Sequence, residues 1–270
     1  MIKTLGLYEM RKASKLVGVT TISVAVALAL QAWGADDNKV DISTVNGKRC
    51  FAANGIPDHP TGKFPNRGNP NAIREQDLNI CFTMKPKKGT VPKPITGIMG
   101  IAINGVPFRP NTAGFWDSSA QQGHSRRGNK NWSLEIFGAP GRLGLDLHNA
   151  HVGRGGMYHY HGIAQSLTRT SGTSLVGYAG DGFKIHYRPS EKKSGWRLKK
   201  GARPIGGPPG IYNGLFNEDY EYVGGEDALD QCNGGYISGD YAYFITDNYP
   251  FLPRCLYGEI GSDFKKRGHR

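Results

Sequence analysis

Four of the chain's eight histidines lie within a stretch of 14 residues, which makes this segment the strongest candidate for chemistry. They are His148, His151, His159 and His161. Successive side chains of a β-strand point to opposite faces, so His159 and His161 should share one face and Tyr158 and Tyr160 the other. The rise of a strand places the two histidines roughly 6–7 Å apart at the backbone, so both imidazoles can reach one ion.

A His-x-His pair on a strand with a third histidine from a loop is a common ligand set for zinc, copper, manganese or iron. His151 is near enough in sequence to be the third ligand, and zinc or copper suits imidazole best among divalent transition metals. Asp146, Asp181 and Glu135 are candidate oxygen ligands or residues that orient the histidines. The alternative is that the strand histidines hydrogen-bond within a polar core and the tyrosines pack.

Sequence motifs of several other reaction classes are missing. There is no Gly-x-Ser-x-Gly, phosphate-binding loop, His-Glu-x-x-His or Gly-x-Gly-x-x-Gly motif, which disfavours serine hydrolases and nucleotide-binding enzymes. The formal net charge is +12, but its basic tracts are scattered through the chain. We therefore expect no nucleic-acid partner, and a solvated surface, drawn at most to an anionic envelope, is favoured. The pattern identifies no specific partner.

Residues 1–34 predict a secretory signal peptide. Basic residues precede a mostly apolar run at 17–30, and Ala32-Trp33-Gly34 offers small residues at the −3 and −1 positions of a cleavage site. The run is short for a membrane span, which takes about 20 residues, although an uncleaved anchor is the alternative. Cleavage would leave a single domain over residues 35–270, periplasmic or secreted, with no membrane span.

The cysteines fit an oxidising compartment. Cys50 and Cys81 lie at one end of the expected mature chain, and Cys232 and Cys255 at the other. An even count in an exported protein favours disulfides. Of the three pairings, Cys50–Cys81 with Cys232–Cys255 is the most economical, and each bond would contribute about 3–4 kcal/mol in the loop-entropy model. Neither pair has Cys-x-x-Cys spacing, which disfavours zinc ribbons and thioredoxin-like chemistry.

The sequence predicts that short β-strands position the candidate histidines. The 39 glycines and 16 prolines argue against a helical bundle, and no segment longer than about eight residues keeps a helical period. Strands are expected near 77–84, 97–106, 132–137, 155–164 and 240–246, and residues 52–72 should form an ordered or functional loop. The expected fold is therefore mainly β, a single sandwich-like or barrel-like domain with long Gly/Pro-rich loops.

A weak internal repeat accompanies the histidines. Leu145-Asp146 is followed by Tyr158-His159-Tyr160-His161, and Leu229-Asp230 by Tyr241-Ala242-Tyr243-Phe244, at almost the same spacing. Either this is chance similarity, or the chain holds two copies of a unit made of a Leu-Asp turn and a Tyr-x-Tyr strand. In the second case the scaffold packs without histidine, because Ala242 and Phe244 replace the two histidines.

At Tyr158-His159-Tyr160-His161-Gly162 the chain resembles the YHYH domain family, mostly exported bacterial proteins. The resemblance spans nearly the whole mature chain in the segments NGIPDHPTGKFPN (54–66), NPN (69–71), GIAINGVPF (100–108), LGLDLHNAHV (143–152), DGF (181–183), LDQCNGG (229–235) and YAYFITDNYPFLPRC (241–255). It implies that His59 and His151, which lie in family motifs, join His159 and His161 as metal-site residues. The family suggests a fold and carries no assigned reaction.

Three functions remain open from the sequence. The first is an exported metal-binding protein that holds its ion through His159, His161, His151 and His59. The second is a metal-dependent hydrolase on the same site, with Asp181 or Glu135 as the base. The third is a structural or carbohydrate-contacting envelope module in which the histidines only pack.

Overall fold

The computed structural model describes residues 37–170 and 173–267, so the predicted signal peptide lies outside the described residues. The described chain is mainly β, and its helices are one or two turns long, as the sequence predicts. Its helices are α1 (Pro140–Leu143), α2 (Gln165–Thr170), α3 (Ser262–Arg267) and a 3-10 helix (Asn217–Asp219). The strands are β1 (Val40–Val45), β2 (Lys48–Ala53), β3 (Leu78–Thr83), β4 (Lys93–Pro94), β5 (Gly100–Ala102), β6 (Pro107–Phe108), β7 (Phe115–Trp116), β8 (His124–Ser125), β9 (Asn129–Ser133), β10 (Ala150–Val152), β11 (Tyr158–Tyr160), β12 (Leu175–Ala179), β13 (Lys184–Tyr187), β14 (Trp196–Leu198), β15 (Tyr220–Tyr222), β16 (Gly234–Ile237), β17 (Asp240–Ile245) and β18 (Cys255–Leu256).

An eight-stranded mixed sheet forms the centre of the fold, in the order β10-β11-β6-β5-β12-β13-β17-β16. Among the described residues β10 and β16 lie at opposite ends of this order and do not pair with each other, so the sheet does not close into a barrel. The β1-β2-β3 sheet packs on its middle, where Phe51 and Phe82 lie with their ring centroids 6.2 and 5.7 Å from that of Tyr178. The sandwich-like form of the predicted fold is therefore confirmed, and the barrel-like form is wrong.

The two halves of this sheet are related by an approximate two-fold rotation. The middle strands β5 and β12 run antiparallel, with Ile101 opposite Tyr178. On either side a hairpin adds in parallel, so that Tyr160 pairs with Phe108 in one half and Tyr243 with Ile185 in the other. The rotation places β5, β6, β10 and β11 onto β12, β13, β16 and β17.

The same hydrogen bonds recur at the Leu-Asp turns of both halves. Asp146 accepts the Tyr158 hydroxyl at 2.6 Å and the Ala150 N–H at 3.2 Å. Asp230 accepts the Tyr241 hydroxyl at 2.7 Å and the Gly234 N–H at 2.8 Å. In each turn an asparagine takes positive φ, at Asn149 and Asn233, a conformation that asparagine tolerates better than most residues. The two-copy interpretation of the sequence repeat is thus confirmed.

Both predicted disulfides are present. Cys50 and Cys81 lie opposite each other on β2 and β3 with 4.1 Å between their Cα atoms. Cys232 and Cys255 lie 5.1 Å apart and join the second Leu-Asp turn to β18. None of the described helices has the length and apolar character that a membrane crossing requires.

Candidate metal centre

The β10–β11 hairpin brings three of the predicted ligands together at one edge of the large sheet. His151 on β10 lies directly opposite His159 on β11, and His161 follows two residues later on the same face. The ring centroids are 4.7, 4.8 and 4.9 Å apart, and one ligand nitrogen from each ring lies within 4.8 Å of the other two. The predicted proximity of His151, His159 and His161 is therefore confirmed, and we call this cluster the histidine triad.

The nitrogen spacing fits a small tetrahedral ion. The Nε2 atoms of His151 and His161 are 3.2 Å apart. Two nitrogens bound to one zinc ion at 2.0–2.1 Å in tetrahedral geometry lie about 3.3 Å apart. The separation of these two nitrogens therefore matches that of two ligands on one such ion.

Backbone carbonyls fix the ring orientation of two triad members. His151 donates from Nδ1 to the Leu143 carbonyl at 2.8 Å, and His159 donates from Nδ1 to the Met157 carbonyl at 3.0 Å. Because a carbonyl only accepts, both Nδ1 atoms carry the proton, which leaves Nε2 as the lone-pair nitrogen of each ring, and that of His151 faces His161 Nε2. This is the outer arrangement that metal-binding histidines usually have. His161 Nδ1 is buried with no hydrogen-bond partner among the described residues.

Burial keeps the triad uncharged. His159 and His161 are each 1% exposed, and burial lowers their pKa values well below the ordinary range. Burial also lowers the pKa of His151. The neighbouring histidines and the guanidinium of Arg109 push in the same direction. At neutral pH the three imidazoles are therefore neutral, which is the form that binds a metal.

The tyrosines of the YHYH segment occupy the other face, as predicted, where His59 also lies. The Tyr160 hydroxyl donates to His59 Nε2 at 2.7 Å, since His59 Nδ1 already donates to the Pro60 carbonyl at 3.0 Å. Asn104 donates to the same hydroxyl at 3.0 Å. The His59 ring stacks on His148 with centroids 3.8 Å apart. The structure thus does not bring His59 to the triad, and both of its nitrogens have protein partners.

The predicted carboxylates hold the scaffold together. Asp181 is 1% exposed and accepts bonds from the Tyr243 hydroxyl at 2.8 Å and the Gly258 N–H at 2.9 Å, and burial raises its pKa. Glu135 pairs with Arg254 at 3.0 Å and accepts the Phe137 N–H at 2.6 Å. Burial raises the pKa of Glu135 as well.

Asp146 has a comparable structural role beside the triad. In addition to the bonds of its turn, its carboxylate accepts the Gly62 N–H at 3.1 Å and so ties the long loop after β2 to the β10–β11 hairpin. Because Asp146 also holds Ala150, the residue before His151, it positions one ligand of the triad.

A cleft of about 420 Å³ opens beside the triad, and its walls include His151 and His159. Residues 68–71 form one wall, which gives part of the predicted 52–72 loop a place at the site. The segment between β6 and β9 forms another and contributes Arg109, His124 and Arg126. Neither Asp181 nor Glu135 lines the cleft. The sequence analysis did not identify Arg109 as a residue of the site. The one indication was that Arg109 directly follows the GIAINGVPF segment, which does not by itself place it near the triad.

The profile of the YHYH protein family matches residues 79–258, two thirds of the chain. The chain belongs to the YHYH protein family. The matched region contains the triad, both halves of the large sheet and the second disulfide. Comparison with curated proteins and with solved structures finds no match. Within this YHYH protein, the functional assignment therefore depends on the geometry of the site.

Proposed function

We propose that this protein binds one divalent transition metal, zinc or copper, through the Nε2 atoms of His151, His159 and His161. The observation that carries the proposal is the convergence of three neutral imidazoles, two of them turned inward by backbone carbonyls. A fully satisfied polar core would give each ring nitrogen a hydrogen-bond partner, whereas the buried His161 Nδ1 has none among the described residues. Zinc and copper fit because imidazole is a favoured ligand of both.

We propose that the metal-binding protein acts in the periplasm or outside the cell. Two disulfides suit the periplasm or the extracellular space, where such bonds persist. The predicted signal peptide supports the same location. N-terminal sequencing of exported protein should therefore begin at or near Ala35, and an intact Met1 would contradict cleavage.

Metal analysis of the purified mature protein tests the centre. After exchange against zinc or copper, elemental analysis should give one ion per chain in the wild type and none in the double variant His159→Ala, His161→Ala. His186→Ala, a histidine of β13 outside the triad, serves as the matched control and should keep one ion. Wild-type protein without stoichiometric metal, together with a lower melting temperature in the double variant, would instead favour a structural module.

A second candidate function, metal-dependent hydrolysis, is favoured by the three-ligand geometry. Catalytic zinc sites typically use three protein ligands and leave a fourth position for an activated water, and the cleft lies beside the triad. The expected result is hydrolysis of a model ester by the metal-loaded protein and not by the metal-free protein. Equal rates in both forms would leave metal binding as the function.

A further inference from the structure

The cleft beside the triad is strongly basic. Three arginines line it, namely Arg109, Arg126 and Arg154, and none of the described aspartates or glutamates does. Arg126 and Arg154 are exposed, whereas Arg109 is half-buried. The carboxylate of Asp117 lies just behind the wall, where it accepts the Ser125 hydroxyl at 2.6 Å and the Ser119 hydroxyl at 2.6 Å. The surface that a ligand would meet is therefore positive.

Arg109 differs from the other arginines with buried side chains. Arg203 pairs with Asp219 at 2.6 Å, and Arg254 pairs with Glu135 at 3.0 Å. Within residues 37–170 and 173–267, the Arg109 guanidinium has neither an ion pair nor a hydrogen bond. Burial and the nearby charge of Arg126 lower its pKa. An anion bound in the cleft would give this partly desolvated cation a charged partner, and such charge-assisted contacts are stronger than those between neutral groups.

The guanidinium and the triad border the same part of the cleft. The Arg109 Nη1 and His159 Cε1 atoms lie 3.8 and 3.6 Å from the position that a Cβ atom on Gly153 would take. The guanidinium and the imidazole of His159 therefore lie on the same side of the cleft and within about 7.4 Å of each other. A ligand of a few heavy atoms could reach both the cation and a metal held by the triad.

We propose that this cleft binds a ligand bearing an anionic oxygen group, a phosphate or a carboxylate, with one oxygen on the open position of the metal and another on Arg109. The proposal rests on the metal centre proposed above and names the class of its ligand. Arginine suits the task because its planar fork of donors matches both groups. Arg126 and Arg154 at the mouth attract the anion and contribute less to its affinity.

Cobalt provides a probe of the open position, because its visible spectrum reports a change of ligands. The Co²⁺-loaded protein is titrated at fixed ionic strength with inorganic phosphate and, separately, with acetate. The wild type should show a saturable spectral change, and the more tightly bound anion identifies the group that the cleft prefers. Arg109→Gln should weaken that binding at least tenfold while the cobalt content stays at one ion per chain. Arg197→Gln, which removes the same charge from an exposed arginine on β14, should bind as the wild type does.

The outcomes separate this proposal from the metal centre. Stoichiometric cobalt with no anion effect, or equal anion affinity in the two arginine variants, would overturn the anion site and leave the metal centre standing. If no metal binds, the metal centre fails, and calorimetric titration of the metal-free protein with phosphate still tests the cleft. Binding lost in Arg109→Gln would then support an anion site, and binding unaffected by that change would overturn it.

Discussion

The two halves of the large sheet share one scaffold and differ in the chemistry on one face. The first half carries His159 and His161 after its Leu-Asp turn, and the second carries Ala242 and Phe244 at the matching positions. Ala242 and Phe244 are buried in a small apolar cluster with Leu229. Both halves keep the tyrosines, the aspartate of the turn and the parallel addition of the hairpin. Packing in both halves therefore uses the tyrosine face, whereas the side chains on the histidine face differ between the halves without a change of fold.

The two halves also differ in how the Leu-Asp turn is connected to a segment far away in sequence. In the second half the disulfide Cys232–Cys255 makes this connection. In the first half His148, which follows Asp146 by two residues as Cys232 follows Asp230, stacks on His59. The short sequences before the two partners also match, since Ile-Pro-Asp precedes His59 and Leu-Pro-Arg precedes Cys255. A covalent bond in one half thus corresponds to a ring contact in the other.

The largest expected effect is stabilisation by metal in the first half alone. Zinc at about a thousand times its Kd should raise the free energy of unfolding of the wild type by about 4 kcal/mol, because it binds only the folded chain. The double variant His159→Ala, His161→Ala should gain nothing in the same thermal or urea melt. Phe244→Leu, at the position matching His161, should start from a lower stability and keep the full gain. A zinc gain that survives in the double variant would place the metal elsewhere.

The connection between turn and distant segment provides the next test. Replacing Cys232 and Cys255 by alanine should lower the free energy of unfolding by about 3 kcal/mol, from the loop-entropy model for a 23-residue separation. Replacing His148 by alanine should cost only about 1 kcal/mol, since a ring pair contributes about 0.5–1.5 kcal/mol. Denaturant titration measures both values. Equal losses would mean that the two connections are energetically equivalent.

The two turn aspartates separate folding from metal binding. Asp146→Asn and Asp230→Asn should each destabilise the protein by about 2 kcal/mol, because each weakens charge-assisted bonds to backbone N–H groups and a tyrosine. Only Asp146→Asn should also weaken zinc affinity, since Asp146 holds the segment that carries His151. Zinc competition against a chelating dye measures that loss. If Asp230→Asn lowered the zinc affinity as much as Asp146→Asn does, the loss of affinity would reflect general destabilisation of the fold and not the position of His151.

Local patterns predicted much of this architecture. The shared face of His159 and His161 and the Asn104-Gly105 turn depend on a two-residue period or on neighbours in sequence, and the structure confirms both. The two cysteine pairs, 31 and 23 residues apart, followed from the even count and the grouping at the two ends of the chain, and they are confirmed as well. The repeat was visible because turn chemistry fixes residue types, as with Asp146 and Asp230. The strand expected at 132–137 was misplaced, because β9 is already ending at Ser133 and the chain goes on to pair with residues near Phe216.

Long-range packing was beyond the sequence. Nothing local indicates that Arg109 would border His159, because that proximity depends on the parallel pairing of β6 with β11 and on the loop that crosses the sheet. The position of His59 was equally hidden. Its motif indicates a site residue, yet a tyrosine hydroxyl on the opposite face of β11 satisfies its Nε2.

The smallest expected effect concerns His186, which stands in the second half where Arg109 stands in the first. The Nδ1 atom of His186 and the Ser174 hydroxyl share a hydrogen bond of 3.0 Å. Burial and the charges of Lys184 and Arg188 lower the pKa of His186 to about 4. The unfolded chain has its histidine pKa near 6.5, so between these values the unfolded state binds more protons than the folded state. The contribution of His186 to stability is therefore complete above about pH 6.5 and is lost as the pH falls toward 4.

His186→Gln removes that proton uptake and should flatten the fall of metal-free stability over this pH range. Because the ring is half-buried and screened by solvent, the change should reach only about 1 kcal/mol, well below the metal effect. Urea melts of the chelator-treated wild type and variant at pH 7, 5.5 and 4 measure it. The wild type should lose more stability than the variant on acidification. Parallel curves would mean that His186 titrates alike in both states, and the position matching Arg109 would then have no electrostatic role in the second half.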